Sequence, residues 1–142
     1  MEIRRVGVLG CGLMGSGIAE VCARAGFETV VREVDDAALA RGMERIRGSL
    51  DRAVAKGKLE AAAREAALGR LRTTTDFGAL AGCDLVIEAI VENLEEKLRT
   101  FAALAKVVRP EAIFASNTSS LTITQLAAAS GRPERTIGLH FF

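Results

Sequence analysis

Gly10-Cys11-Gly12-Leu13-Met14-Gly15 sets three glycines at the spacing G-x-G-x-x-G, directly after the apolar run Val6-Gly7-Val8-Leu9. From about Met14 to Arg24 the residues are small and suit a helix. Where a strand hands over to a helix through such a turn, each glycine serves a separate purpose. Gly10 allows the tight turn, Gly12 lets a pyrophosphate approach the main chain, and Gly15 lets helix and strand pack closely. The free N–H groups at the helix start, those of Leu13 and Met14 among them, then face the phosphates with the positive end of the helix dipole behind them. The turn alone is a weak signal, and an acid closing the next strand makes it a strong one. Glu33 is that acid, 18 residues beyond Gly15. A carboxylate there accepts from the adenine-ribose hydroxyls and repels a 2′-phosphate, which selects NAD over NADP. Arg32 could hold such a phosphate, but neighbouring side chains of a strand point to opposite faces. Asp35 and Asp36 stand where helix-capping carboxylates belong. Cys11 occupies a variable position of the turn and receives no redox role.

The elements that must hold this turn show in the apolar periodicity. A strand over 28–33 is followed by helical spacing at Leu39, Met43, Ile46, Leu50 and Val54, and Gly57 separates that helix from another over 60–68. Further strands are predicted at 71–75, 85–90, 112–115 and 136–139, with helices at 94–108 and 123–129. This alternation predicts parallel βαβ units in a Rossmann-type, doubly wound α/β sheet. The two helices after the second strand exceed what a plain crossover needs and read as a helical excursion reaching away from the sheet.

The chain has 142 residues, the length of one domain, and its 49% apolar and 26% charged residues are ordinary for a globular protein. A net charge of +1 with interspersed signs, no Trp and no Tyr, argues against nucleic acid or an anionic membrane as partner. No apolar run approaches the roughly 20 residues of a membrane span, and no signal peptide precedes the first strand. Cys11, Cys22 and Cys83 lack metal or redox spacing, so no metal is expected and a reducing cytoplasm fits.

Three later segments narrow the chemistry: Ile87-Glu88-Ala89-Ile90-Val91-Glu92-Asn93-Leu94-Glu95-Glu96-Lys97, Ala115-Ser116-Asn117-Thr118-Ser119-Ser120-Leu121, and Gly138-Leu139-His140-Phe141-Phe142. With the glycine turn, they resemble the L-3-hydroxyacyl-CoA dehydrogenases over essentially the whole chain, most closely the short-chain 3-hydroxybutyryl-CoA type. The resemblance implies oxidation of an (S)-3-hydroxyacyl-CoA to the 3-oxoacyl-CoA with NAD, or the reverse, in fatty acid metabolism. It makes His140 the catalytic base, a role that suits imidazole near neutral pH. Ser119 would contact the substrate hydroxyl beside the nicotinamide, or else cap a helix. Asn117 would touch the cofactor or shape its turn. Glu92 and Lys97 would lie near the nicotinamide and its ribose, the alternative for Lys97 being a surface charge beside Asn93 and Glu92. Ser49 and Lys56, seven residues apart, would contact coenzyme A from one helical face shared with Arg45 and Arg52.

Relative to that family the chain reads as C-terminally truncated, an incomplete NAD-binding domain over 1–142. Its members continue with Asn-Pro, the acid that orients the histidine, and a helical domain that closes the cleft and forms a homodimer. Without these a cleft with one wall cannot exclude water, so the 142-residue chain is expected to bind NAD and be inactive. The alternatives are a dehydrogenase of free 3-hydroxy acids or sugar acids, the matching domain of a multifunctional fatty-acid oxidation protein, and a non-catalytic NAD-binding module.

Overall fold

The computed structural model describes residues 1–142. Strands β1 (Arg5–Leu9), β2 (Glu28–Arg32), β3 (Leu71–Thr74), β4 (Leu85–Glu88), β5 (Ile113–Ser116) and β6 (Thr136–Gly138) form one sheet in the order β3-β2-β1-β4-β5-β6. Every neighbouring pair is parallel. The order reverses at β1, so the crevice beyond the carboxyl ends of β1 and β4 is the topological switch point, where open α/β sheets bind ligands.

Side-chain alternation along the strands divides the core into two layers. Val6, Val8, Val31 and Ile87 pack beneath α1 (Leu13–Arg24), α2 (Asp36–Ala55) and α3 (Ala61–Arg70). Leu9, Val86 and Phe114 face the other way, against α4 (Leu94–Val107) and α5 (Ile123–Ser130). Phe101 of α4 meets the Phe114 ring edge-on at 6.0 Å. Arg132 fixes the chain just before β6: its guanidinium donates to the carbonyls of Val108 and Arg109 at the end of α4 and lies 4.2 Å above the Phe114 ring. Those carbonyls, left over at a helix end, would otherwise lack donors.

Several predicted boundaries move by one or two residues. β4 stops at Glu88 rather than Ile90, because the Glu88 carboxylate turns back to accept the Ile90 N–H at 2.7 Å. β5 runs to Ser116, which places a buried hydroxyl at its end. Asp35 caps α2 as expected, accepting from the Ala38 N–H at 2.7 Å. The helical excursion is seated on the core at its base, while its tip over 51–66 contains no buried residue. Leu39, Ile46 and Leu50 of α2 are buried in the core, α3 returns along α1, and Arg70 donates to the carbonyl of Ala23 at 2.9 Å. No helix is long and apolar enough to cross a membrane.

Two glycines of α2 have opposite surroundings. A methyl group at Gly42 would overlap Cys11 Sγ and stand 2.6 Å from Cys11 O, so α2 can rest on the glycine turn only because Gly42 is bare. At Gly48 the nearest obstacle is the flexible end of Arg52, at 3.3 Å. Gly42→Ala is therefore expected to lower stability by about 1–3 kcal/mol through overpacking. Gly48→Ala should raise it by up to about 1 kcal/mol, since alanine is the better helix former. Urea denaturation of both variants reads the two signs.

Candidate functional site

At the end of β1 the chain makes its sharpest approaches to neighbouring backbone. Gly10 has φ +95°, and a methyl group there would lie 2.6 Å from Ala89 O; one at Gly15 would overlap Gly10 O. Any larger residue would push α1 off the strand. Gly12, by contrast, has nothing within 4 Å of where a side chain would start, which leaves its main chain open to an incoming group. Gly12 is also the N-cap of α1, provides no side-chain cap, and is followed by no acid in the first turn. Leu13 and Met14 are exposed. Open N–H groups at a helix start with no competing carboxylate suit a pyrophosphate.

Glu33 lies beside this turn. Its carboxylate accepts the Cys11 N–H at 2.8 Å and the Val34 N–H at 2.9 Å. A carboxylate offers about four acceptor positions, so Glu33 can brace the turn and still receive ribose hydroxyls. Gly10, Gly12, Arg32 and Glu33 border one groove of about 360 Å³ that extends over Ala89–Val91. Arg32 thus faces the same groove as Glu33, contrary to what simple strand alternation predicts, because β2 has already ended at Arg32. Its side chain is nevertheless engaged, donating to the carbonyl of Thr75 at 3.2 Å and lying 5.2 Å above the Phe77 ring. Cys11 is buried beneath the turn, and burial, followed by the charge of Glu33, pushes its thiol pKa up. A protonated, inaccessible thiol is a poor nucleophile. The groove and the helix start together fit a dinucleotide with an unphosphorylated adenine ribose.

On the other side of the switch point stands a buried charge cluster that sequence spacing did not reveal. Glu88 ends β4 with no exposed surface, and Lys97 is only 2% exposed. Lys97 Nζ lies 2.8 Å from Glu88 Oε2 and 3.1 Å from Glu92 Oε1. The alternative of Lys97 as a surface charge is therefore overturned: it does pair with Glu92, but its ammonium is buried, and its nearer partner is the buried Glu88, nine residues back. Ser116 sits opposite Glu88 in the β4–β5 register and donates its hydroxyl to Oε1 at 2.6 Å. Thr118 donates to Glu92 Oε1 at 2.9 Å. Partial burial alone would raise the Glu92 pKa, but hydrogen bonds from Lys97, Thr118 and Ser120 and the lysine charge outweigh it, holding it below the usual carboxylate value. Glu92 is thus an anchored anion whose side chain stays half exposed at the crevice.

The serine-rich turn and the histidine segment meet next to this cluster. Asn117 Oδ1 accepts the Phe141 N–H at 2.7 Å, and Ser116 O accepts the Leu139 N–H at 2.9 Å. Ser119 is exposed and is not the cap of α5; that position belongs to Thr122, while Thr118 Oγ1 holds the turn by accepting from Ser120 and Leu121. His140 is exposed, its ring 5.4 Å from that of Phe142. Ser49, Arg45 and Arg52 line a groove of about 320 Å³ between α1 and α2, together with Ser16. Lys56 is the C-cap of α2, past the end of the helix, and does not line it. Sequence spacing brought these four to one face, and the helix terminus parts Lys56 from the rest.

The buried pair carries a direct expectation. Lys97→Met leaves Glu88 without its counter-charge and should cost about 3–5 kcal/mol in urea unfolding, as broken buried pairs do. Adding Glu88→Gln to it should recover most of that loss.

Comparison with known proteins gives this geometry a family. The family model described as "3-hydroxyacyl-CoA dehydrogenase, NAD binding domain" matches residues 5–142. A 3-hydroxybutyryl-CoA dehydrogenase of Mycobacterium tuberculosis is 52% identical over 99% of this chain, which covers 49% of that protein. The crystal structure of FadB2 from M. tuberculosis superposes with a TM-score of 0.97 at 52% identity, over 100% of this chain and 50% of the other. That of (S)-3-hydroxybutyryl-CoA dehydrogenase PaaH1 from Ralstonia eutropha gives 0.97 at 42% identity, over 99% and 50%. The chain spans about half the length of these relatives. With the glycine turn, Glu33 and the sheet order all in place, the chain belongs to the NAD-binding domain family of the 3-hydroxyacyl-CoA dehydrogenases, and NAD is its cofactor.

Proposed function

We propose that residues 1–142 form the NAD-binding domain, incomplete relative to the family, of an enzyme that interconverts (S)-3-hydroxyacyl-CoA, with 3-hydroxybutyryl-CoA as the preferred substrate, and the 3-oxoacyl-CoA. The observation that carries this reading is the bond from the Phe141 N–H to Asn117 Oδ1, which joins the turn bearing Ser119 to the segment bearing His140 at the carboxyl edge of the sheet. Bound NAD supplies the hydride acceptor. Gly10, Gly12, Leu13, Met14 and Gly15 hold its pyrophosphate through main-chain N–H groups, and Glu33 takes the adenine ribose. Glu92, anchored by Lys97, lies toward the nicotinamide end. His140 Nε2 or Nδ1 removes the proton from the substrate hydroxyl as the hydride leaves, and Ser119 hydrogen-bonds that oxygen.

Coenzyme A then lies along α2, with Ser49 and Arg52 at the groove and Lys56 meeting a phosphate as a point charge. The names of the relatives support the thioester substrate. In this reading the protein serves fatty acid metabolism in the cytoplasm as a homodimer, in keeping with its mixed-sign surface and the free thiols of Cys11, Cys22 and Cys83.

In the full-length protein carrying this sequence, 3-hydroxybutyryl-CoA should be oxidised with NAD and free 3-hydroxybutyrate should not. His140→Gln should lower kcat by about 10²–10⁴-fold, the usual weight of a general base, and leave the Kd for NADH within about twofold. Turnover of the free acid at the same rate would remove coenzyme A from the proposal. Wild-type protein that binds NADH and turns over neither substrate would make it a non-catalytic NAD-binding module.

A further inference from the structure

We infer that Asn117 is the positioning residue for His140, acting through the main chain of Phe141 rather than on the cofactor; this rests on the reading of His140 as the base. His140 lies beyond the end of β6, in no helix or strand, and its side chain is exposed. The β5–β6 ladder reaches only as far as Leu139, so the chain beyond His140 must be fixed by something else. Two hydrogen bonds flank His140, one on each side: Leu139 N–H to Ser116 O at 2.9 Å and Phe141 N–H to Asn117 Oδ1 at 2.7 Å.

The two bonds differ in kind. The first ends on a main-chain carbonyl and extends the parallel β5–β6 pairing, so any residue at 116 would make it. The second needs an acceptor on a short side chain at 117. Both acceptors are carried by the interior of the sheet: the Asn117 N–H donates to Glu88 O at 2.9 Å, and the Ser116 hydroxyl donates to Glu88 Oε1 at 2.6 Å. Phe141 is half-buried and packs on the apolar layer beneath α1, so its N–H is presented from a seated residue. His140 is thereby suspended between two points of one rigid turn. Displacing a general base by about 1 Å can cost on the order of 100-fold in rate, which is the scale of what Asn117 protects.

Asp at 117 keeps the acceptor at the same reach, and Ala removes it, so the two variants separate a tether from general loss of structure. Amide hydrogen exchange on the ¹⁵N-labelled 142-residue chain reads the tether itself. Asn117→Ala should speed exchange at Phe141 by about tenfold, the weight of one hydrogen bond. Leu139 and the β1 amides should keep their protection, and Asn117→Asp should preserve Phe141. Equal exchange at Phe141 in wild type and Asn117→Ala overturns the tether.

Kinetics on the full-length protein with 3-hydroxybutyryl-CoA read its consequence. Asn117→Ala should lower kcat by about 10–100-fold, with the Kd for NADH within about twofold, and Asn117→Asp should restore most of the loss. An unchanged kcat, or a loss of NADH affinity that matches the loss of turnover, overturns the positioning role. Absence of turnover in wild type instead sinks the reading of His140 as a base, while the exchange data still decide the tether.

Discussion

Three pieces of main chain converge on the turn after β1 more closely than side chains would allow. The loop after β4, the start of α1 and the middle of α2 all close on residues 10–12, and Gly10, Gly15 and Gly42 are the positions that admit them. The rest of the cofactor site follows from that convergence. It aims the first N–H groups of α1 across the switch point, and it buries Cys11 so that its own N–H turns toward Glu33. The same acid that is proposed to recognise the ribose therefore also braces the turn. A side chain at any of the three glycines would move helix, turn and acid together, so the structure has little freedom to adjust one without the others.

The opposite wall of the crevice is organised by charge rather than by close approach. Burying a carboxylate and an ammonium is costly unless each finds partners, and here they do. Glu88 accepts from Ile90 N, Lys97 Nζ and the Ser116 hydroxyl, and Lys97 reaches on to Glu92. No buried polar side-chain atom in the chain lacks a partner. The outcome is that the ends of β4 and β5 and the start of α4 share one anchored cluster. Glu92 is the member of it that stays half exposed. Lys97 lies buried beneath the loop and pairs with both carboxylates.

The strand–turn–helix unit, the parallel sense of the sheet and the position of Glu33 were legible in the residues, because short apolar runs, glycines and an acid at a strand end are local signals. Gly42 and Glu88 were not. Gly42 reads as a weak point in a polar helix, and its reason lies 31 residues earlier at Cys11. Glu88 reads as the polar end of an apolar strand, where solvent is the ordinary expectation. Its one sequence clue was indirect: a serine ends the neighbouring strand and a lysine opens the next helix, but register had to bring them together. The same limit left a surface charge open as the alternative for Lys97, since helical spacing records neighbours on α4 and says nothing of what lies beneath it. For Asn117 the residues suggest a cofactor contact or a turn, and only the path of the last four residues shows that it grips another segment.

The crevice at the switch point is built for a dinucleotide whose adenine ribose carries free hydroxyls. Titrating the 142-residue chain with NADH and, separately, with NADPH at low ionic strength tests it most directly. NADH should bind at least about tenfold tighter, because Glu33 gains hydroxyl hydrogen bonds with the one and meets a like charge with the other. Equal affinities, or a preference for NADPH through Arg32, would contradict it.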